Sequence, residues 1–211
     1  MVGTVGYFII EESCFKNYLT DRGRPILQGR IHTIKAFEPN KIYIGSDQGL
    51  TLFDPSTQKY ITTSYNRNNS SSLSDDFVYD ILKDNEGGLW ITTYFGGINY
   101  SNPNSSNFTI RHCATESARG RIISKFHEDK NGDIFIGTDD GGLFIYNPIK
   151  DKCHRYTIDK SNPNLNIHAI WSNDTYLWIG TYSKGLYRIN HKTKYVEHIP
   201  YFEKDGITNE S

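Results

Sequence analysis

Short apolar stretches recur along this chain in one fixed pattern, with glycines and polar residues between them. Four segments carry the pattern most clearly: Ile42-Tyr43-Ile44-Gly45-Ser46 before Gly49-Leu50, Leu89-Trp90-Ile91-Thr92-Thr93 before Gly97-Ile98, Ile134-Phe135-Ile136-Gly137-Thr138 before Gly142-Leu143, and Leu177-Trp178-Ile179-Gly180-Thr181 before Gly185-Leu186. Their aromatic anchors, Tyr43, Trp90, Phe135 and Trp178, are 47, 45 and 43 residues apart. That spacing is the period of a four-stranded β-propeller blade.

Other positions keep the same register. Ile34, Ile81 and Phe126 lie nine residues before their anchors, Ile170 lies eight before its own, and Ile31, Val78, Ile123 and Ile167 come three residues earlier again. Beyond the second glycine, Asp54-Pro55, Asn102-Pro103 and Asn147-Pro148 are Asx-Pro turns that end the preceding strand. A last apolar stretch follows at Tyr60-Ile61, Phe108 to Ile110, Tyr156 to Ile158 and Tyr195-Val196. Each unit thus offers four strands, A to D. The expected fold is an all-β propeller with blades at 31–72, 73–118, 119–164 and 165–204, a partial blade at 1–30 and the lead into another at 205–211.

Two local patterns need arbitration. Asp84 to Trp90 and Asp129 to Phe135 share D-x-x-G-x-(Leu/Ile)-aromatic, a turn whose glycine supplies positive φ and whose aspartate caps the loop. A calcium loop built on Asp129, Asn131 and Asp133 would need its glycine at position six, whereas Gly132 stands at four, so no metal is expected. The apolar positions Phe77, Val78, Ile81 and Leu82 have helical spacing. Alignment with the other units nevertheless assigns this segment to strand A.

Composition agrees with a sheet protein. Aromatic residues make up 14% of the 211, glycine numbers 18, and helix-favouring Ala and Met are scarce. A net charge of −1, with no block of like charges, argues against a nucleic-acid partner. No apolar run is long enough for a membrane span. Cys14, Cys113 and Cys153 have no CxxC spacing, which excludes a zinc knuckle, leaves at least one thiol unpaired and favours buried structural thiols. Glycine-rich nucleotide loops, GxSxG and HExxH are absent, so the expected activity is binding, with no catalytic residue and no cofactor.

The repeated unit, (Val/Ile)-x-x-Ile, D-x-x-G-x-L-W-I-G-T, x-x-x-G-L and a closing Asx-Pro, resembles the two-component regulator propeller repeat. Its best copies are Val78 to Pro103 and Ile123 to Pro148. The resemblance implies a periplasmic sensor region of a hybrid two-component histidine kinase, with an oligosaccharide as ligand. It further implies partners in the same polypeptide, the remaining blades and a downstream kinase module, and allows a homodimer.

In a propeller the D-to-A connections and B-to-C loops share one face, and the tight A-to-B and C-to-D turns share the other. Loops on a rigid scaffold are where recognition concentrates. Carbohydrate binding needs flat aromatic faces and hydrogen-bonding side chains. The candidates are therefore Tyr94, Phe95 and Tyr182 as platforms, Arg119, Arg121 and Lys184 as cations, and Asp139 and Asp140 as acceptors from hydroxyls. The periodic Tyr43, Trp90, Phe135 and Trp178 are expected in the core between blades. A propeller glycosidase or lyase is the competing reading, with Asp80 and Asp76 on or beside strand A as its carboxylates; a passive interaction scaffold is a third.

Length completes the sequence picture. At roughly 45 residues per blade, 211 residues make about four and a half blades, fewer than most propellers use. The expectation is an excerpt of a larger propeller of the seven-bladed type, prone to associate through apolar blade faces.

Overall fold

The structure is a computed structural model, and it describes residues 6–9, 12–18, 27, 29–105, 107–111, 113 and 122–200. These residues form strands and turns only. Strands β1 (Gly6–Ile9) and β2 (Cys14–Asn17) pair as an antiparallel hairpin. Four antiparallel four-stranded sheets follow, which are the blades read from the sequence.

Blade 1 holds β3 (Ile31–Glu38), β4 (Lys41–Ser46), β5 (Gly49–Asp54) and β6 (Lys59–Thr63). Blade 2 holds β7 (Val78–Lys83), β8 (Leu89–Thr93), β9 (Gly97–Ser101) and β10 (Phe108–Arg111). Blade 3 holds β11 (Ile123–Glu128), β12 (Ile134–Thr138), β13 (Leu143–Asn147) and β14 (Lys152–Tyr156). Blade 4 holds β15 (Ile167–Ser172), β16 (Tyr176–Thr181), β17 (Leu186–Asn190) and β18 (Val196–Ile199). The chain divides into two compact units, 1–112 with blades 1 and 2 and 113–211 with blades 3 and 4. The helical spacing at Phe77 to Leu82 is overruled, since Val78–Lys83 pairs along β8.

Within each unit the blades join through apolar faces. In the first, Tyr43 and Leu50 of blade 1 are buried with Val78, Ile81 and Ile91 of blade 2. In the second, Phe135 and Leu143 of blade 3 pack with Ile167, Leu177 and Ile179 of blade 4. The glycine of the I-G-S/T motif serves this approach. A Cβ on Gly45 would lie 2.7 Å from Val78 Cγ1, and one on Gly137 would lie 2.6 Å from Ile167 Cγ2. Any side chain there would push the neighbouring inner strand away.

Polar bonds add specificity to the apolar contact. Asp80, almost fully buried, accepts from the Thr33 hydroxyl at 3.2 Å and pairs with the Lys35 ammonium at 3.3 Å, so blade 2 is pinned to blade 1. Glu38 accepts from Lys41 and from Lys83 of blade 2, and those two hydrogen bonds hold its carboxyl down to about 2. In the second unit Ser124 donates to the Ile167 carbonyl, His127 Nε2 meets Ser172 Oγ at 2.7 Å, and Lys130 bridges to Asp174 at 2.8 Å.

Two expectations are corrected. Cys113 and Cys153 are joined as a disulfide, with Cα atoms 5.3 Å apart, instead of lying as buried free thiols; Cys14 is free and only half-buried. The 40-residue separation hides the pair in the sequence, and the fold closes it by bringing Cys153 of β14 to Cys113. Trp178 is half-buried, unlike Tyr43, Trp90 and Phe135, and the Arg188 guanidinium lies over its ring at 5.2 Å, a cation–π contact in place of a packed apolar neighbour.

Candidate ligand-binding site

One backbone hydrogen bond is repeated in every blade and builds its loop end. The residue opening the B-to-C loop donates its N–H to the carbonyl of the residue just before strand A: Asp47 to Arg30, Tyr94 to Phe77, Asp139 to Ile122 and Tyr182 to Asn166, each at 3.0–3.1 Å. The loop is thereby latched to the entry of its own blade. Strand A is also irregular at the same point in all four blades, with register shifts at Ile31/Thr33, Val78/Asp80, Ile123/Lys125 and Ile167/Ala169. A bulge breaks the two-residue alternation and re-aims one side chain. The residues within these bulges are His32, Tyr79, Ser124 and His168.

In the first unit these positions form a continuous array. His32 Nε2 lies 2.6 Å from Asp47 Oδ1, and its ring stacks on Tyr79 with centroids 4.4 Å apart and planes 14° apart. Tyr79 packs on Tyr94 at 5.4 Å, and Tyr94 meets Phe95 at 4.5 Å, nearly perpendicular at 89°. Two carboxylates of the neighbouring D-to-A connection accept backbone amides, one from the array and one from within the connection. Asp75 Oδ2 accepts the Phe95 N–H at 3.0 Å, and Asp76 Oδ1 accepts the Tyr65 N–H at 2.6 Å.

The second unit carries a shorter version. His168 Nε2 is 3.8 Å from Asp139 Oδ1, and its ring is 5.7 Å from that of Tyr182. Burial raises the Asp139 carboxyl above the usual aspartate range, His168 opposes the rise, and Asp140 adds to it. Buried Oδ1 atoms of Asp139 and Asn166 have no hydrogen-bond partner among the described residues. Lys184 sits on the same loop as Tyr182; its N–H is held by Thr181 Oγ1 and its carbonyl faces His198.

The sequence candidates therefore fall into separate groups. Tyr94 and Phe95 touch in the first unit, while Asp139 and Tyr182 both meet His168 in the second. Arg119 and Arg121 lie outside the described residues. His32, Tyr79 and His168, which complete these ring contacts, are not among the sequence candidates. Their signal was available, since each follows the apolar residue that opens strand A, at a place where strict alternation would have sent it into a sheet face.

The opposite end of the second unit holds a cleft of about 650 Å³, lined by His127, Asp129, Lys130, Asp174, His191 and Lys192 among others. Sequence reading assigned that end to tight turns. Asp129 is engaged there as a cap, its Oδ1 accepting the Asn131 and Asp133 N–H groups. Burial lowers the His127 pKa, against a weaker upward pull from Asp129. Among the described residues no group of three or more His, Cys, Asp or Glu side chains is arranged to hold a metal ion.

Comparison with known proteins agrees with this architecture. Residues 72–95 match the two-component regulator propeller family model. Two extracellular domains described as belonging to hybrid two-component systems of B. thetaiotaomicron superpose with TM-scores of 0.75 and 0.74, at 19% and 22% identity over 95% and 93% of this chain. The chain spans 26% and 27% of their lengths, and so corresponds to a portion of larger propeller domains. YCF48 from Cyanidioschyzon merolae superposes with a TM-score of 0.60 at 17% identity, over 88% of this chain and 63% of that one. No curated protein matches the sequence.

Proposed function

We propose that this chain is a ligand-sensing segment of the propeller in a two-component sensor, and that it takes up an oligosaccharide at the loop ends of its blades. The observation that carries this reading is the pair of exposed aromatic rings, Phe95 and Tyr182, on loops whose backbones are latched in place. Exposed apolar rings on a rigid frame offer stacking faces at low entropic cost. The remaining blades and a histidine kinase module of the same polypeptide would receive the signal.

A periplasmic setting suits the Cys113–Cys153 disulfide, because such bonds persist in oxidising compartments. The hydrolase reading has less support. Asp80 is buried against Thr33 and Lys35, and Asp76 is engaged with the Tyr65 backbone, so both carboxylates already have structural work. Calorimetric titration of the chain with a broad oligosaccharide panel tests the proposal. Saturable heat from at least one fragment is expected; silence across the whole panel sinks it.

A further inference from the structure

We infer that the corner made by Tyr94 and Phe95 is a subsite for a neutral pyranose ring, in preference to a uronate or sulfated sugar. The inference rests on the oligosaccharide reading above and narrows its ligand class. Its first support is the rigidity of an exposed ring. Phe95 is 75% exposed, yet its N–H is held by Asp75 and the preceding Tyr94 N–H is held by the Phe77 carbonyl. Two consecutive amides are thus fixed under a side chain that gains nothing from water. Tyr94 is backed in turn by Tyr79, and Tyr79 by His32, which Asp47 holds at 2.6 Å.

The second support is the company this corner keeps. Tyr65, also exposed, is held through its N–H by Asp76, so adjacent aspartates position two exposed aromatic residues. The connection from 64 to 77 carries two carboxylates against the single guanidinium of Arg67, and its other polar residues are Asn, Ser and Tyr. A ring with an apolar C–H face and hydroxyls at its edge matches both features. The C–H face covers the aromatic corner, and the hydroxyls donate to carboxylate oxygens, each of which has two lone pairs and can accept beyond its backbone bond. A uronate or sulfate at the same place would set its charge against Asp75 and Asp76.

The test uses the whole chain, titrated with neutral hexose and pentose oligosaccharides and with uronate-containing and sulfated ones of similar length. A neutral fragment should bind, Phe95→Ala should weaken it about tenfold or more through the loss of one buried aromatic face, and Phe95→Trp should retain it. Because Phe95 is exposed, the variants should melt with the parent. Tighter binding of an acidic fragment, or a neutral one indifferent to Phe95→Ala, overturns the inference while leaving the oligosaccharide reading standing. Failure of every oligosaccharide removes both.

Discussion

The indole N–H of Trp90 donates to Oδ2 of Asp84 across 2.7 Å, so the first and last residues of the acidic-glycine turn are bonded to each other. Oδ1 of the same carboxylate accepts the Glu86 and Gly88 N–H groups. Blade 3 has Phe135 where blade 2 has Trp90, and there Oδ2 of Asp129 takes the Asn131 side-chain amide instead. Trp90→Phe should cost about 1–2 kcal/mol in denaturant unfolding, through a lost indole bond and reduced packing. Adding Glu86→Asn, which copies the blade 3 solution, should recover part of that loss.

Asp80 joins the inner strands of blades 1 and 2, and truncating it leaves a buried hydroxyl and a half-exposed ammonium without their acceptor. Asp80→Ala should destabilise the chain by about 2 kcal/mol. Asp80→Asn should cost less, because its amide oxygen still accepts from Thr33. Equilibrium unfolding of the two variants against the parent decides the order.

His127 makes stability depend on pH. Its folded pKa is depressed by burial, so below the ordinary value of 6.5 the unfolded chain binds more protons than the folded one. Stability should therefore fall as pH drops through 6.5, with the loss levelling off below the depressed folded value. Melting temperatures between pH 7.5 and 5.5 should show the decline, and His127→Gln should flatten it; an unchanged slope in the variant would rule out His127 as the source.

Asp139 behaves in the opposite sense. A carboxyl raised by burial disfavours the fold most when ionised, so Asp139→Asn should melt higher than the parent at pH 7. That gain should fade as pH falls through the raised folded value towards the ordinary 3.8. Paired melting curves at pH 7 and pH 4 measure it.

Reducing Cys113–Cys153 reopens a link across 40 residues. Chain entropy for a loop of that length is worth about 4 kcal/mol, so the reduced protein should unfold at markedly lower denaturant. A Cys14→Ser background keeps thiol exchange out of the measurement. Equal midpoints with and without reductant would show that the link adds nothing to stability.

The blades were legible because their information is local and repeated. The anchors Tyr43, Trp90 and Phe135, the glycines that admit a neighbouring strand and the Asx turns each specify one short element, and repetition overruled the helical spacing at Phe77 to Leu82. The candidate site was legible only in part. Tyr94 and Tyr182 stood out as aromatic exceptions at positions that are aspartate in the other blades, whereas His32, Tyr79 and His168 depend on a bulge that alternation does not announce. The disulfide stayed hidden because its partners, 40 residues apart, meet only once the fold brings β14 to Cys113, and the guanidinium over Trp178 comes from Arg188 on the next strand.

The recurring bulge also bears on how such a molecule diversifies. His32, Tyr79, Ser124 and His168 each sit in a bulge, and the backbone N–H of each matching loop residue is latched by a main-chain carbonyl. Replacement at His32, Tyr79 and His168 and at their loop partners leaves the main-chain latch in place, whereas Ser124 is committed to the Ile167 carbonyl of the next blade. A combinatorial library randomised at those three bulge positions and their loop partners is expected to vary the loop-end surface while sharing one scaffold.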